Sequence, residues 1–419
     1  MGASMSTSPQ LRIDGARLMR DLRTLRGFGA QASGVVRQAF SHEDVRARAW
    51  LTEQYENAGL IAAFDSVGNV FGRDPRFEKA ILIGSHGDTQ PTGGWLDGAM
   101  GVIFGLEIAR AFQECGMTAG LGVDAVCWSD EEGTFVHSLG SRHFCEAMAP
   151  GEFEAATSGS GESLTDACAQ AGYSNCPSRV VSPSRYAAYL EPHIEQGPVL
   201  DAAGEQLGVV EAIVGAREFV VSFKGEANHA GTAPMASRKD AVRAMLRFTA
   251  ELDRRYEMLA REGVVWTFGR IEITPNAPSI VPGFSALSVQ FRAPSLKVLD
   301  AFEAALRDQL DAEQKRAPEI ERGLRKVLDF VPTPMDAGLM DVLAKAADRI
   351  APGRWRRMAS GAGHDAQFLA ELMPTGMLFV PSIGGVSHSF SEDTTEADIV
   401  AGCEALALAV EYLARDFGA

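Results

Sequence analysis

Apolar positions in the first 60 residues recur at helical spacing. Residues 14–27 and 42–59 each repeat apolar side chains every three or four positions, which predicts two amphipathic helices. The second begins after Ser41, with Glu43 and Asp44 in its first turn, an arrangement that favours a helix start. The chain therefore opens with a pair of helices that each keep one polar face.

Three short apolar runs follow, and each leads into a segment that contains acids or a histidine. Residues 79–86 end at His86, residues 121–129 lead into the acidic segment 130–133, and residues 186–191 lead into His193. Such runs are typical of buried strands, and residues 97–115 between the first two have a helical pattern. Because open α/β sheets place ligands at the carboxyl ends of their strands, we expect a site at this edge.

From about residue 214 the pattern changes to a β-α-β-β-α-β order. The predicted strands are 218–224, 264–273 and 286–292, and the predicted helices are 238–262 and 296–314. This order indicates an inserted ferredoxin-like α+β domain over residues 214–327.

The α/β pattern returns after residue 327. A helix from Asp336, a strand over 376–381, a loop with His388 and a helix over 396–413 are predicted there. We therefore expect a discontinuous first domain made of residues 1–213 and 328–419. Residues 150–180, rich in Ser, Gly and Ala, are interpreted as a surface excursion.

The composition of the chain excludes several classes of function. The 419 residues include 39 Lys and Arg against 55 Asp and Glu, which gives a formal charge of −16. The protein therefore has no excess of positive charge with which to bind nucleic acid. No apolar stretch approaches the 18 or so residues of a membrane span, and no secretory signal is evident. Six cysteines without a C-x-x-C spacing fit reduced thiols. We expect a cytoplasmic protein without nucleic-acid or membrane partners.

Histidines and acids at the predicted strand ends form the main chemical candidate. The set consists of His86, Asp88, Asp97, Glu131, Glu132, His193 and His388. Neutral imidazoles and carboxylates suit Zn²⁺ or a similar divalent ion, and a carboxylate bridge can hold two such ions close together. The sequence therefore predicts a metal site.

Spacing suggests separate roles within this set. Residues two apart on a strand share a face, so Asp88 can accept the second ring N–H of His86 and fix its tautomer. Glu131 and Glu132 are adjacent, so their side chains leave the backbone in different directions. One carboxylate can bind a metal while the other takes a proton from the attacking water, as assisted hydrolysis requires.

Seven segments together resemble a known family. They are GSHGDTQPTGG (84–94), DGA (97–99), SDEEG (129–133), HIEQGP (193–198), NHAGTAPM (228–235), SGAGHDAQ (360–367) and GVSHS (385–389). Their order and content are similar to those of the dinuclear metal amidohydrolases that include N-carbamoyl-L-amino-acid hydrolase, beta-ureidopropionase (beta-alanine synthase) and allantoate amidohydrolase. That family lies within the aminoacylase and metallo-exopeptidase superfamily. The resemblance implies a zinc-exopeptidase-like α/β domain with a mixed central sheet and an inserted dimerisation (lid) domain.

The resemblance also implies a role for each matched residue. His86 and His193 would hold one metal ion, Glu132 and His388 the other, and Asp97 would bridge them. Two divalent ions per chain are expected, Zn²⁺ first, with Mn²⁺, Co²⁺ and Ni²⁺ as alternatives. Asp88 would orient His86, and Glu131 would be the general base.

Further implied residues concern the substrate and the partner subunit. His229 of the inserted domain would act in trans in a homodimer, stabilising the oxyanion. Asn276 (in PNAPSIVP, 275–282) and Arg292 (in QFRAP, 290–294) resemble the residues that bind the substrate carboxylate, a task for which the planar arginine fork is suited. Gln196 and His364 are expected to contact the substrate as well.

One segment departs from the family pattern. Members usually carry EEGSRF, whereas this chain has EEGTFVH at 131–137 and lacks the arginine. His137 or Arg142 could replace it, and a neutral or aromatic substrate is conceivable. The expected activity is metal-dependent hydrolysis of a linear amide or carbamoyl C–N bond in a small carboxylate-bearing ureido or amide substrate. The alternatives are an N-acyl-amino-acid deacylase or dipeptidase of the same superfamily, and a metal-free binding protein.

Overall fold

The structure, a computed structural model, describes residues 11–117, 120–261 and 263–416. The α-helices are α1 (Gly15–Gly27), α2 (His42–Asn57), α3 (Ala99–Cys115), α4 (Leu139–Phe144), α5 (Glu152–Ala155), α6 (Leu164–Gln170), α7 (Val199–Ala203), α8 (Ala241–Leu259), α9 (Leu296–Arg316), α10 (Ala337–Ile350), α11 (Ala366–Leu369) and α12 (Glu396–Asp416). The strands are β1 (Ala30–Gln31), β2 (Gly34–Val35), β3 (Ile61–Phe64), β4 (Val70–Arg73), β5 (Ala80–His86), β6 (Gly122–Trp128), β7 (Tyr186–Ile194), β8 (Leu207–Ile213), β9 (Gly215–Lys224), β10 (Asn228–His229), β11 (Val265–Thr267), β12 (Ile271–Thr274), β13 (Ile280–Val281), β14 (Phe284–Ala293), β15 (Glu321–Phe330), β16 (Thr333–Pro334), β17 (Trp355–Ser360) and β18 (Thr375–Val380).

The chain forms two compact units. The first unit contains the residues up to Glu211, Pro334–Met358 and the residues from Ala362 onward. The second unit contains Ala212–Thr333 and Ala359–Gly361. It extends beyond the insertion predicted at 214–327 because β15 continues past Val327 as far as Phe330.

A mixed sheet forms the centre of the first unit. Its strand order is β16-β8-β18-β7-β5-β6-β4-β3, and β17 pairs with β8. The four central strands β18, β7, β5 and β6 run parallel, whereas β4, β3 and β8 join antiparallel. Every residue of β5 is buried, as its uninterrupted Ala-Ile-Leu-Ile run predicts for a strand covered on both faces. The predicted α/β fold with a mixed central sheet is confirmed.

Helices cover this sheet and complete its core. The inner helix α3 is buried from Ala99 to Ala109, and its apolar side chains pack with Ile81, Ile83 and Val123 in one core cluster. α2 begins where the sequence predicts, with Ser41 as the cap that accepts from the Asp44 amide. In the part of the chain that the structure describes, no helix has the length and apolar character needed to cross a bilayer.

The second unit is an antiparallel sheet packed against two helices. The sheet order is β11-β14-β9-β15, with β12 also on β14. Phe219 of β9, Phe248 of α8 and Phe302 of α9 are fully buried in its core cluster. The last β element of the predicted order is therefore β15.

Three local features differ from the expectations. β7 continues through His193 to Ile194, so this histidine lies within a strand and not in the following loop. The predicted strand 264–273 is split into β11 and β12. The excursion at 150–180 contributes Leu164 and Cys168 to a small hydrophobic cluster with Val67 and Leu139 of the preceding chain.

Candidate metal centre and active site

The carboxyl ends of the central strands bring the predicted residues together. β5 and β6 are parallel, and His86 at the end of β5 lies in register with Trp128 at the end of β6. Glu131 and Glu132 lie in the loop that follows β6. His193 lies near the end of β7, opposite Phe379 of β18. The sheet alone therefore aligns one residue from each predicted segment at the same edge.

Asp97 stands at the centre of this group. One carboxylate oxygen, Oδ1, is 3.2 Å from Nε2 of His193 and 3.9 Å from Nε2 of His86. The other, Oδ2, is 3.3 Å from Nε2 of His388. Two groups that could each hold an ion result, His86 with Asp97 and His193, and Asp97 with Glu132 and His388. Asp97 is common to both, as a bridging ligand must be.

Glu132 is a buried carboxylate with one unused oxygen. Its Oε2 accepts a 2.7 Å hydrogen bond from Nε2 of Gln90, whereas Oε1 is buried without a hydrogen-bond partner among the described residues. Burial, with the charges of Asp97 and Asp88, raises the pKa of Glu132 to about 8. A buried carboxylate of this kind is costly unless a cation neutralises it. The donor set therefore fits a divalent metal ion.

The two buried imidazoles are held by backbone carbonyls. Nδ1 of His86 is 3.0 Å from the Asp88 carbonyl oxygen, and Nδ1 of His193 is 2.9 Å from that of Ile194. When each Nδ1–H donates to its carbonyl, each Nε2 is left without a proton, 3.2 Å (His193) and 3.9 Å (His86) from Oδ1 of Asp97, and that of His193 also accepts from the Gly98 amide. Metal-binding histidines are commonly fixed in this way.

Asp88 contacts three neighbours through different atoms. Its carbonyl oxygen is hydrogen-bonded to Nδ1 of His86, while its carboxylate oxygen Oδ1 lies 3.7 Å from the same nitrogen. The same carboxylate accepts from the backbone amides of Glu131 at 3.3 Å and Glu132 at 3.1 Å. The sequence suggested a carboxylate contact to His86, but the hydrogen bond is made by the main chain.

Glu131 lies beside the candidate ligands. Its Oε2 is 3.7 Å from Nε2 of His86, and the residue is 6 % exposed. Burial, followed by the charges of Asp365 and Glu132, raises the pKa of Glu131 well above its usual range. A carboxylate with raised proton affinity beside the reacting group is suited to general-base work.

Gln196 and His364 also lie in this region. Nε2 of Gln196 is 3.2 and 3.1 Å from the two Asp97 oxygens. The ring of His364 packs edge-on against that of His193, with centroids 4.6 Å apart. Burial, with the nearby His193, holds the pKa of His364 well below its usual range. His364 is therefore neutral at pH 7.

The remaining predicted residues belong to the second unit. His229 is exposed in β10, and its Nδ1 accepts from the amides of Gly231 at 3.0 Å and Thr232 at 3.1 Å. This places the ring proton on Nε2, which is a donor. Asn276 is exposed, and Nη1 of Arg292 donates to the Gly361 carbonyl at 3.1 Å.

Sequence reasoning missed Glu392. Its Oε1 accepts from the Asp97 amide at 3.1 Å, and its Oε2 accepts from the Ser387 hydroxyl at 2.9 Å. Burial, followed by the Asp97 charge, raises the pKa of Glu392 to about 7. Glu392 thus links the Asp97 loop to the His388 loop. Its position four residues after His388 was the only sequence signal.

The segment after Glu132 is held by hydrogen bonds to the carboxylate of Asp130 and not by an arginine side chain. The carboxylate of Asp130 accepts from the amides of Thr134, Phe135 and Val136, at 2.6, 3.0 and 2.8 Å. Arg142, considered above as a substitute, forms a two-pronged pair with Glu152 at 2.8 and 2.7 Å. Its guanidinium is therefore already paired within the excursion.

The profile of peptidase family M20/M25/M40 matches residues 82–412. This chain belongs to that family. The matched range includes the whole candidate centre and the second unit.

Relatives within the family are similar over nearly their full length. The chain is 35% identical to an allantoate amidohydrolase of Escherichia coli over 93% of this chain and 96% of the relative. It is 32% identical to an N-carbamoyl-L-amino-acid amidohydrolase of Paenarthrobacter aurescens over 95% and 98%. A solved hydantoinase/carbamoylase-family amidase from Burkholderia phymatum superposes with a TM-score of 0.91 at 47% identity, over 97% and 99% of the two chains.

Proposed function

We propose that this M20-family protein is a metal-dependent amidohydrolase that cleaves a linear C–N bond of an N-carbamoyl amino acid or a ureido acid. The observation that carries the proposal is Asp97, whose two oxygens face imidazoles of two different ligand groups. The amidohydrolase relatives support the same reaction class. A binding protein would have no need of the additional buried acid Glu131.

The proposed ligands are His86 and His193 for one ion, Glu132 and His388 for the other, and Asp97 for both. Zn²⁺ is the first choice, with Mn²⁺, Co²⁺ and Ni²⁺ as alternatives, because imidazole and carboxylate suit all four. When bound, the ions supply positive charge that polarises the scissile carbonyl.

The other residues move protons and stabilise charge. Glu131 takes a proton from the attacking water and delivers it to the leaving nitrogen. Asp88 positions Glu131 through its backbone amide. His229 donates from Nε2 to the developing oxyanion, a role that the bonds to its Nδ1 support.

Substrate contacts and assembly complete the proposal. Asn276 and Arg292 bind the carboxylate of a small ureido or amide substrate, and Gln196 and His364 contact the group that reacts. We propose a homodimer in which His229 serves the neighbouring subunit's centre. A cytoplasmic location is supported by the free state of the six cysteines.

A substrate screen tests this function. The metal-loaded protein is incubated with N-carbamoyl, ureido, N-acyl and dipeptide substrates, and released ammonia and amine are measured. Ammonia from carbamoyl or ureido substrates is expected. Amine release from acyl or dipeptide substrates alone would instead identify a deacylase or dipeptidase.

A further inference from the structure

A cavity of about 510 Å³ opens beside the candidate metal centre, wholly within the first unit. It shares Glu132 with the centre and includes Gln90, whose amide holds the Glu132 carboxylate. Its volume lies in the range of small-molecule sites. A group attached to a substrate that reacts near Glu132 therefore has space on this side.

Two aromatic rings form the apolar wall of this cavity. Phe40 and Phe135 line it and meet edge to face, with centroids 5.5 Å apart. Phe135 belongs to the segment in which this chain departs from the family pattern. The wall can contact the methylene groups of a substrate side chain.

Phe40 is held in an unfavourable backbone conformation. Its φ is +62°, which is uncommon for a bulky residue. The Phe40 amide donates to the Asp44 carboxylate at 3.0 Å, and Asp44 is fixed by the buried Arg48 at 2.9 Å. Strain of this kind persists where the surroundings enforce it, often at ligand sites.

The polar part of the cavity combines hydroxyl and amide groups with an acidic side chain. Among the described residues that line it, the ionisable side chains are Glu132, a proposed metal ligand, and Glu162, whose negative charge no metal ion would neutralise. One oxygen of Glu162 accepts from Nε2 of Gln170 at 3.1 Å. Ser158 and Ser160 share a 2.9 Å hydrogen bond on the same turn. A ligand carboxylate would meet like charge here, whereas N–H groups would meet acceptors.

We propose that this cavity receives the side chain of the substrate and selects one that carries N–H donors, such as a carboxamide, an amine or a second ureido group, over one that carries a carboxylate. The inference rests on the proposed function and adds its substrate class. Phe40 and Phe135 contact the methylene groups, and Glu162 determines the charge preference.

The test compares two substrates of equal shape. N-carbamoyl-L-glutamine and N-carbamoyl-L-glutamate differ in the terminal group alone, and kcat/KM is measured for both with the metal-loaded enzyme. We expect the glutamine compound to be at least about tenfold better. A ratio of one or below would overturn the inference while leaving the hydrolase function intact.

Two variants locate the preference in the cavity. Ser160→Arg places a cation at the cavity wall and should shift the ratio at least about tenfold toward the glutamate compound. Ser174→Arg is the matched control, because Ser174 is exposed nearby in sequence but does not line the cavity. Equal shifts in both variants would contradict the assignment.

Binding measurements distinguish a failure of this inference from a failure of the proposed function. The proposed function fails only if no carbamoyl or ureido substrate of the screen is hydrolysed, and in that case calorimetry of the two compounds on metal-loaded Glu131→Gln protein decides the inference by itself. Tighter binding of the glutamine compound supports the cavity assignment. Equal or weaker binding overturns it.

Discussion

A β-carbon on Gly98 would lie 2.4 Å from Nε2 of His86. Gly98 precedes α3 as its N-terminal cap, with a φ of +61°, and its amide donates to Nε2 of His193 at 3.2 Å. The absence of a side chain thus allows the backbone after Asp97 to approach both imidazoles. This position connects helix α3 directly to the candidate metal centre.

Replacement of Gly98 by alanine is expected to displace His86. We predict that Gly98→Ala weakens metal affinity about 10–100-fold, as expected when the support of a ligand is lost. Gly116→Ala is a matched control, since Gly116 ends the same helix at a φ of +69° with open space around it. Alanine at Gly116 adopts the left-handed region, at ψ 23°, and costs about 1–2 kcal/mol. Gly98, at ψ −46°, lies outside that region and is costlier to replace, so circular dichroism checks that Gly98→Ala is folded. Metal titration should separate the two variants, and equal affinities would contradict the prediction.

Asp97 should control metal stoichiometry. Protein loaded with excess metal and then desalted is expected to retain about two divalent ions per chain, one for each ligand group. Asp97→Asn should reduce this to less than one, because it removes charge from both groups at once. Elemental analysis gives the result, with circular dichroism as the folding control. Zero metal in folded wild-type protein would refute the site.

Glu131 should be separable from metal binding. We predict that Glu131→Gln keeps the wild-type metal content but loses at least about 10²-fold in kcat, the lower end for a general base. The amide keeps the shape of the side chain and cannot accept the proton. Turnover close to wild type would remove Glu131 from the mechanism.

His229 should act on the neighbouring subunit. When inactive His229→Ala and Glu131→Gln chains are mixed in equal amounts and re-paired, about half of the dimers are mixed, each with one complete site. Activity should then rise to about a quarter of wild type. Each parent variant alone provides the background.

Action of His229 within its own chain predicts a different result. No mixed dimer would then contain a complete site, because each chain lacks one of the two residues. Subunit exchange shown by mass spectrometry without recovery of activity would rule the trans arrangement out.

The sequence determined the elements and the chemical inventory of this protein. Continuous apolar runs such as Ala80–Ile83 predict buried strands, and helical spacing predicts α2 and α12, because these patterns depend on local periodicity. The motifs also named the residues that gather around Asp97. Their types and spacing limit the chemistry before any coordinates are considered.

Tertiary structure decided the relationships between distant segments. Glu392 supports Asp97 across almost 300 positions of chain, and the Asp88 carboxylate turned out to hold the backbone of Glu131. Neither contact leaves a periodic signal, since each depends on how loops meet after the strands pair. The cavity that Phe40 and Phe135 line likewise exists only where four separate segments converge. Local sequence fixes backbone preference, but the geometry of a site is set by long-range packing.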